Sequence, residues 1–418
     1  MQFKYLRGAC LIIEGGNKRV LCDPWLEDSI YYGSWAHYPP YVWRDDLSTL
    51  DYIYVSHIHP DHFDPQTMKR LPKVPVLIHK FKSKFLKKNI EACGFEVREL
   101  ENNYEHDLGG LKINIIAADN CNPAICMKFF GCDATMVGDT QIDSLAVFTD
   151  GKQTYVNAND CPYLLSRSIL PMIRKQYPEI DMLFVAYAGA GPYPQCFEMP
   201  EHMKVRYARM KKESFLKHAG LFARDLKARH TFPFAGDYAL CGRFADMNRH
   251  RGVATLAEVY RHFEEQNIPV VRMEVDDVDG RERYVTDVLA KRSMDYERDR
   301  VPESDELAKL MREAWQRLEL KRKEIGLNTG TVVYIPLGDE TLMRIPFNGT
   351  GISRQKRIYD AKYVKMSLDP RALYGVLSGP KTGYHWNNLE IGSHIQYQRM
   401  PIELFERGIY HCLSFFHV

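Results

Sequence analysis

The residues best suited to chemistry lie in one heptapeptide, Ser56 to His62, with the sequence Ser-His-Ile-His-Pro-Asp-His. Side chains two positions apart on an extended segment point to the same side, so His57 and His59 should face one point. Asp61 and His62 follow within one further turn of the chain. Four such side chains concentrate charge and polarity without structural gain unless a cation lies between them. The spacing therefore predicts a metal-binding loop whose ligands are His57, His59, Asp61 and His62.

The segments on either side of this loop predict how it is positioned. Residues 50–55 are rich in β-branched and aromatic side chains and predict a buried strand. Residues 64–71 predict a helix, with Asp64 as its N-cap and Pro65 at its first position. A loop between a strand and a helix is a common place for functional side chains, because rigid elements hold both of its ends.

A complete metal site needs further ligands from elsewhere in the chain. Asp160 is the strongest candidate, since it follows a predicted hairpin over residues 144–157 and its two oxygens can each serve one cation. Asp119 ends a strand predicted over residues 111–118 and is the next candidate, with an ordinary Asx-turn as the alternative. His230 precedes a short apolar segment and could close the site, although a structural histidine is an equal alternative.

Two carboxylates near the loop have predicted roles beyond metal binding. Asp61 is the candidate catalytic residue, because a carboxylate beside a metal can orient or deprotonate a bound water. Asp23 follows a predicted strand, where it either orients a ligand imidazole or forms a turn.

Two aromatic segments leave a choice between covering a substrate and filling the core. Residues 29–44 are aromatic and irregular, and residues 384–388 include Trp386. For each segment, a substrate-contacting role and a packing role are equally consistent with the sequence.

Composition excludes some classes of protein. The chain has 418 residues, 45% of them hydrophobic and 26% charged, and a formal net charge of only +2. This balance argues against a nucleic-acid partner. The N-terminal residues do not resemble a signal peptide, and no apolar run approaches the ~18 residues of a membrane span. The ten cysteines form no Cys-x-x-Cys pair, so we expect reduced thiols, a cytoplasmic location and no membrane span.

The distribution of charge and periodicity predicts three parts of the chain. Residues 1–280 form the metal-binding domain, residues 281–330 a charged linker and an amphipathic helix, and residues 331–418 a smaller C-terminal α+β unit. We expect this C-terminal unit to lie over the metal face as a substrate cover.

Four motifs occur in an order and at a spacing that resemble those of one family. They are Leu21-Cys22-Asp23-Pro24-Trp25-Leu26, the Ser56 to His62 loop, Asn159-Asp160-Cys161 and Phe232-Pro233-Phe234-Ala235-Gly236. The loop alone resembles the metallo-β-lactamase superfamily. Together the motifs resemble the metallo-β-lactamase-like part of the CMP-N-acetylneuraminate hydroxylase family, and residues 386–392 and 399–401 resemble its C-terminal region. The similarity covers most of the chain but is patchy between residues 240 and 330.

The resemblance implies an α/β fold, namely a metallo-β-lactamase-like αββα sandwich with one or two metal ions at the sheet edge. It implies O₂-dependent oxygenase chemistry, a hydroxylation of a nucleotide sugar or similar acidic metabolite, with iron favoured and zinc or manganese as the other candidates. The family also carries a Rieske domain, whose Cys-x-His and Cys-x-x-His pairs are missing from these 418 residues. We therefore expect electrons from a separate ferredoxin or Rieske protein.

Two other functions remain open from the sequence. One is a metal-dependent hydrolase of a phosphodiester, lactone or ester, in which the metal lowers the pKa of a bound water to about 7. The other is a metal-free binding or scaffolding protein, which the intact His-x-His-x-Asp-His motif disfavours.

Overall fold

The computed structural model describes residues 1–81, 84–117, 143–273, 278–379 and 383–416, with only the backbone described at residues 278–280. The strands are β1 (Gln2–Arg7), β2 (Cys10–Gly15), β3 (Lys18–Cys22), β4 (Ser29–Ile30), β5 (Trp35–His37), β6 (Tyr52–Tyr54), β7 (Val76–His79), β8 (Val97–Leu100), β9 (Glu105–Asp107), β10 (Lys112–Ala117), β11 (Ser144–Thr149), β12 (Thr154–Asn157), β13 (Met182–Ala186), β14 (His230–Phe234), β15 (Tyr238–Leu240), β16 (Val332–Pro336), β17 (Leu342–Pro346), β18 (Ser353–Gln355), β19 (Tyr363–Ser367) and β20 (Gln396–Met400). The α-helices are α1 (Pro65–Arg70), α2 (Phe85–Ala92), α3 (Tyr163–Ser166), α4 (Leu170–Gln176), α5 (Glu201–Leu226), α6 (Leu256–Glu265), α7 (Val278–Asp287), α8 (Ser304–Glu324), α9 (Pro370–Leu377), α10 (Trp386–Ile391) and α11 (Arg407–Leu413).

Two six-stranded sheets carry the first half of the chain. The first sheet has the order β1-β2-β3-β6-β7-β8, and the second has the order β14-β13-β12-β11-β10-β9. In the first sheet, β3, β6, β7 and β8 run parallel, so the metal-binding loop leaves the sheet at the carboxyl end of β6. In the second sheet, β11 and β12 form an antiparallel hairpin, and β12, β13 and β14 run parallel.

Alternating side chains make the two sheets face one another. On β2, Leu11 and Ile13 belong to a core shared with the second sheet, whereas Cys10 and Ile12 pack with α1 and α2 on the outer face. The outer face of the second sheet packs against α3, α4, α5 and α6. The layer order of helix, sheet, sheet and helix confirms the predicted αββα sandwich.

Two glycine turns bring the sheets together at the end opposite the metal-binding loop. Gly16 lies in the turn between β2 and β3, and Gly110 lies just before β10. A Cβ atom on Gly16 would lie 2.1 Å from the carbonyl carbon of Gly110, and both residues have positive φ angles, +55° and +95°. Only glycine meets both requirements at this contact.

The C-terminal unit, residues 331–416, contains a five-stranded sheet in the order β18-β17-β16-β19-β20. Its core also includes residues from the helix α8 and from a small sheet in the order β15-β5-β4. Tyr31 and Trp35 are buried in this shared core, and so is Trp386, which is fully buried. Residues 30–38 of the aromatic segment therefore pack in the core shared with the C-terminal unit, which also contains Trp386, whereas Tyr41 and Trp43 pack on the outer face of the first sheet.

Local structure around the metal-binding loop follows the sequence prediction. Asp64 is the N-cap of α1, where its carboxylate accepts hydrogen bonds from the backbone N–H groups of Gln66 and Thr67 at 3.1 and 2.8 Å. Pro65 is the first residue of that helix. Among the described helices, none has the length and apolar character that crossing a lipid bilayer would require.

Candidate metal centre

Ligand atoms from both sheets converge at one edge of the sandwich. One group contains His57, His62 and Asp160, and a second contains His57, His59 and Asp143. Within each group, the candidate ligand atoms all lie within 4.8 Å of one another. The imidazoles come from the loop after β6 in the first sheet, and the two carboxylates flank the β11–β12 hairpin of the second sheet.

The two buried imidazoles, His57 and His62, share one orienting system. Asp23 accepts hydrogen bonds from the backbone N–H of Ser56 at 2.7 Å and from its hydroxyl at 2.9 Å. Oδ2 of Asp23, which accepts from the Ser56 hydroxyl, also lies 3.0 Å from Nδ1 of His62. Oγ of Ser56 lies 2.9 Å from Nδ1 of His57. Since the Ser56 hydroxyl donates its proton to Asp23, Nδ1 of His57 is the donor to Ser56. Both imidazoles therefore point Nε2 into the centre, as metal-binding histidines do when a neighbouring oxygen holds the other ring nitrogen.

His62 supplies the direct test of whether a cation fits. Its Nε2 is buried and makes no hydrogen bond, and it lies 3.4 Å from Oδ2 of Asp160 and 3.6 Å from Oδ2 of Asp61. Burial acts in the opposite direction, but the carboxylates of Asp160, Asp23 and Asp61 raise the pKa of His62 well above its usual value. A cation at this point would replace that proton and satisfy the carboxylates together, so the residues fit a metal ion.

The second group, His57, His59 and Asp143, also brings candidate ligand atoms close together. Nε2 of His57 lies 2.8 Å from Nδ1 of His59 and 3.5 Å from Oδ1 of Asp143. Burial, followed by the neighbouring imidazoles, lowers the pKa of His57, and burial also lowers the pKa of His59. Neutral imidazoles offer lone pairs, which is the form that binds metal.

The two carboxylates of the second sheet have opposite pKa shifts. Burial and then the charge of Asp160 raise the pKa of Asp143 well above its usual value. Burial opposes the shift of Asp160, but His62 and His59 hold its pKa below the usual value. A positive charge between the imidazoles and Asp143 would relieve the repulsion between the two carboxylates.

Contacts from outside the loop reach its more exposed ligands. The hydroxyl of Tyr31 donates a 2.7 Å hydrogen bond to Oδ1 of Asp61. The amide of Asn387, on α10 in the C-terminal unit, lies 3.5 Å from Nε2 of His59. The centre is therefore formed by the sandwich and bordered by the C-terminal unit.

The structure brings together most of the predicted ligands and separates one of them. His57, His59, Asp61, His62 and Asp160 lie around one point. Their role as metal ligands stays a prediction. Asp119 lies outside the described residues.

His230 requires a correction. It is exposed at the first position of β14 and pairs with Met182, the first residue of β13. Because β12, β13 and β14 run parallel, His230 lies at the amino ends of these strands, whereas Asp160 follows the carboxyl end of β12. His230 therefore cannot close the site in this fold.

Sequence reasoning missed Asp143, although a signal for it was present. Asp143 directly precedes β11 and Asp160 follows β12 by three positions. In the hairpin register, Ala146 pairs with Asn157, so the two aspartates lie near one another at the open end of the hairpin. Extending the predicted hairpin in both directions would have paired them.

Comparison with known proteins identifies relatives that share this part of the molecule. The model of the beta-lactamase superfamily domain matches residues 2–125. A protein of Mycolicibacterium smegmatis, named as a Rieske 2Fe-2S iron-sulfur protein, is 28% identical over 245 residues, which cover 56% of this chain and 43% of that protein. The cytidine monophosphate-N-acetylneuraminic acid hydroxylase of Xenopus laevis is 25% identical over 256 residues, covering 56% of this chain and 38% of the hydroxylase.

The chain thus spans less than half the length of these curated relatives. Among solved structures, the diiron β-hydroxylase CmlA from Streptomyces venezuelae aligns over 65% of this chain and 52% of its own, with a TM-score of 0.43 and 15% sequence identity. The family match, the αββα layering and the similarity to the hydroxylase confirm the resemblance predicted from the motifs. Residues 2–125 therefore match a beta-lactamase superfamily domain and lie within an αββα sandwich.

Proposed function

We propose that this protein is an iron-dependent oxygenase that hydroxylates a nucleotide sugar or a similar acidic metabolite. Electrons would come from a separate ferredoxin or Rieske protein. The observation that carries the proposal is the oxygen-rich set of donors, in which Asp61, Asp143 and Asp160 accompany three imidazoles. The similarity to the cytidine monophosphate-N-acetylneuraminic acid hydroxylase supports the choice of reaction and substrate class.

The donor set favours iron over zinc because carboxylate oxygens are harder ligands than imidazole nitrogens or thiolates. No cysteine belongs to either candidate group among the described residues. Three carboxylates also carry enough negative charge to offset much of the charge of two divalent cations.

The geometry suggests how two ions would divide the ligands. Nε2 of His57 has one lone pair and can serve only one ion, and it lies closest to His59 and Asp143. Nε2 of His62 faces Asp160 and Asp61. His57, His59 and Asp143 would therefore hold one ion, and His62, Asp61 and Asp160 would hold the other.

Iron held in this way would supply the activation of O₂. The remaining tasks belong to the chain itself: Asp23 and Ser56 hold the imidazoles, and the buried aromatic residues around Tyr31 and Trp35 exclude water from one side. The C-terminal unit would cover the substrate, since Asn387 already lies beside His59.

The proposal is tested by metal analysis together with ultraviolet-visible and Mössbauer spectra on protein purified without added metal or chelator. We expect about two irons per chain, and consumption of O₂ when reductant and CMP-N-acetylneuraminate are supplied. Iron-loaded protein that consumes no O₂ with a panel of acidic sugar nucleotides would contradict the proposal.

Metal-dependent hydrolysis of a phosphodiester, lactone or ester is the second candidate. Asp61 favours it, because Tyr31 holds one carboxylate oxygen while the other faces His62 and could orient a water. Purified protein that contains zinc or manganese without iron, and that turns over an ester or phosphodiester, would establish this function instead.

A further inference from the structure

The buried imidazoles of the metal-binding loop, His57 and His62, are held by a different part of the molecule from Asp61. Asp23 and Ser56, which follow β3 and β6 of the first sheet, orient the buried imidazoles. Asp61 is instead held by Tyr31, which belongs to the aromatic segment packed against the C-terminal unit. The two halves of one short motif thus depend on separate regions of the chain.

Tyr31 leaves Asp61 only one free oxygen. Its hydroxyl donates to Oδ1 at 2.7 Å, while Oδ2 lies 3.6 Å from Nε2 of His62. The phenol is the donor in this hydrogen bond, because an ionised carboxylate oxygen can only accept. This hydrogen bond restricts rotation of the carboxylate and leaves Oδ2 facing Nε2 of His62.

The backbone at Tyr31 needs external support. Tyr31 and Tyr32 both adopt positive φ angles, 49° and 57°, in the left-handed region that bulky residues rarely occupy. Such conformations persist only where the surroundings fix them. Ser34 supplies part of this support, since its hydroxyl and backbone N–H both donate to the carbonyl of Tyr31.

His394 of the C-terminal unit supplies the rest. Its Nε2 lies 2.8 Å from the carbonyl oxygen of Tyr31, which can only accept, so Nε2 carries the proton. Burial lowers the pKa of His394 to about 3, which keeps the imidazole neutral. Nδ1 therefore accepts a hydrogen bond from the hydroxyl of Tyr296 at 2.8 Å, and the guanidinium of Arg243 donates to that hydroxyl.

We propose that Tyr31 is a positioning residue for Asp61 and that the C-terminal unit sets its position through His394. The inference rests on the proposed metal-dependent function. The chain of hydrogen bonds from Tyr296 through His394 and Tyr31 to Asp61 makes the affinity of one ion depend on His394, which lies 363 positions from Tyr31 in sequence. Loss of a residue that orients a metal ligand typically lowers metal affinity by about 10- to 100-fold.

The same aromatic segment offers a matched control. The hydroxyl of Tyr41 donates to Oδ2 of Asp45 at 2.9 Å, so Tyr41→Phe also removes one tyrosine–aspartate hydrogen bond but touches no ligand candidate. Co²⁺ would be titrated into the full chain against a competing chelator, with the visible absorption of bound Co²⁺ as the readout. We expect Tyr31→Phe to weaken one of two Co²⁺ ions by about tenfold or more and to alter the absorption band, and Tyr41→Phe to match the wild type.

A second pair of variants tests the link to the C-terminal unit. His394→Leu removes the donor to the carbonyl of Tyr31 and should weaken Co²⁺ binding in the same direction, whereas His394→Gln keeps an N–H donor and should restore it. Thermal unfolding of each metal-free variant shows whether the fold is intact. If His394→Leu does not fold, the comparison of Tyr31→Phe with Tyr41→Phe still decides the positioning role of Tyr31, and weakened Co²⁺ binding in His394→Gln would overturn the role of the N–H donor at position 394.

The outcomes separate this inference from the proposed function. Equal Co²⁺ affinity and spectra in Tyr31→Phe and the wild type would overturn the positioning role while leaving the metal site intact. Equal weakening in Tyr31→Phe and Tyr41→Phe would also overturn it, because the effect would then belong to the whole segment. A wild-type protein that binds no Co²⁺ would overturn both the inference and the proposed function.

Discussion

The two sheets of the sandwich contribute different sets of candidate ligands to one site. The first sheet supplies all three imidazoles and the carboxylate of Asp61 from a single loop of seven residues, and the second supplies two carboxylates, one on either side of a hairpin. The imidazoles are neighbours in sequence, whereas Asp143 and Asp160 become neighbours only when β11 pairs with β12. A histidine-rich motif therefore predicts a metal site in this chain, but the carboxylates that would favour one metal over another are not all visible in the motif.

The two sides also differ in how they are oriented. Asp23 and Ser56 fix the tautomers of His57 and His62 from within the first sheet. The carboxylates of the second sheet are instead defined by charge, since the pKa of Asp143 is raised and that of Asp160 is lowered. Hydrogen bonds therefore orient the imidazoles before a cation binds, while a bound cation would chiefly relieve the repulsion between the two carboxylates.

Removing a nitrogen ligand should have the largest effect. His57 belongs to both candidate groups, so His57→Ala should abolish stoichiometric metal binding and reduce activity by more than about 100-fold, beyond the range of outer-shell changes. The measurement is metal content per chain with turnover of the wild-type substrate. His79, at the end of the neighbouring strand β7 and outside both groups, provides the control His79→Ala, which should retain metal. Full activity in His57→Ala would contradict the assigned centre.

Replacing the carboxylate of Asp143 should change which metal binds more than it changes how many ions bind. Asp143→His replaces a carboxylate with an imidazole and should raise the ratio of bound zinc to bound iron, because it softens the donor set. Asp143→Asn, which keeps the size but removes the charge, should weaken one ion without this shift. The measurement is elemental analysis after exposure to equal concentrations of both metals. An unchanged ratio in Asp143→His would show that the oxygen side does not set the preference.

Removing an orienting hydroxyl should have a moderate effect. Ser56→Ala deletes the hydrogen bonds that link Asp23 to Nδ1 of His57 but leaves every ligand in place. Metal affinity should fall by about tenfold, as measured by competition with a chelator. Affinity equal to that of the wild type would mean that packing alone orients the imidazole.

Glu390 is another buried carboxyl with a raised pKa, but unlike Asp143 it lies outside both candidate metal-binding groups. Burial raises the pKa of Glu390 to about 8, and Tyr397 donates a 2.9 Å hydrogen bond to one of its oxygens. Since the folded pKa lies above the unfolded value of about 4.3, the stabilisation is complete at low pH and is lost as pH rises toward 8. The free energy of unfolding should fall by about 1.4 kcal/mol per pH unit across that window.

Glu390→Gln should remove this part of the pH dependence without changing metal content. Chemical denaturation of the wild type and the variant between pH 5 and pH 8 measures the difference. Parallel curves for the two proteins would contradict the assignment.

The sequence predicted those parts of the site that are local. The motif from His57 to His62, the cap at Asp64 and the position of Asp160 after a hairpin all depend on neighbours within a few residues. His230 was misplaced because its sequence context does not reveal which end of β14 faces the site, and this end depends on the parallel pairing with β13. Tyr31 and Asn387 reach Asp61 and His59 across 30 and 328 positions, contacts that no local pattern encodes.

The contact between Gly16 and Gly110 has a consequence for metal selectivity. It joins the backbones of the two sheets at the end away from the candidate metal centre, while the imidazoles come from one sheet and Asp143 and Asp160 from the other. Strands of five or six residues separate the two ends by about 17–20 Å. Any side chain at Gly16 would push the sheets apart at one end and so change the distance between imidazoles and carboxylates at the other. The preferred ionic radius of the site can thus be adjusted, by mutation or in evolution, from the far side of the protein without altering a single ligand.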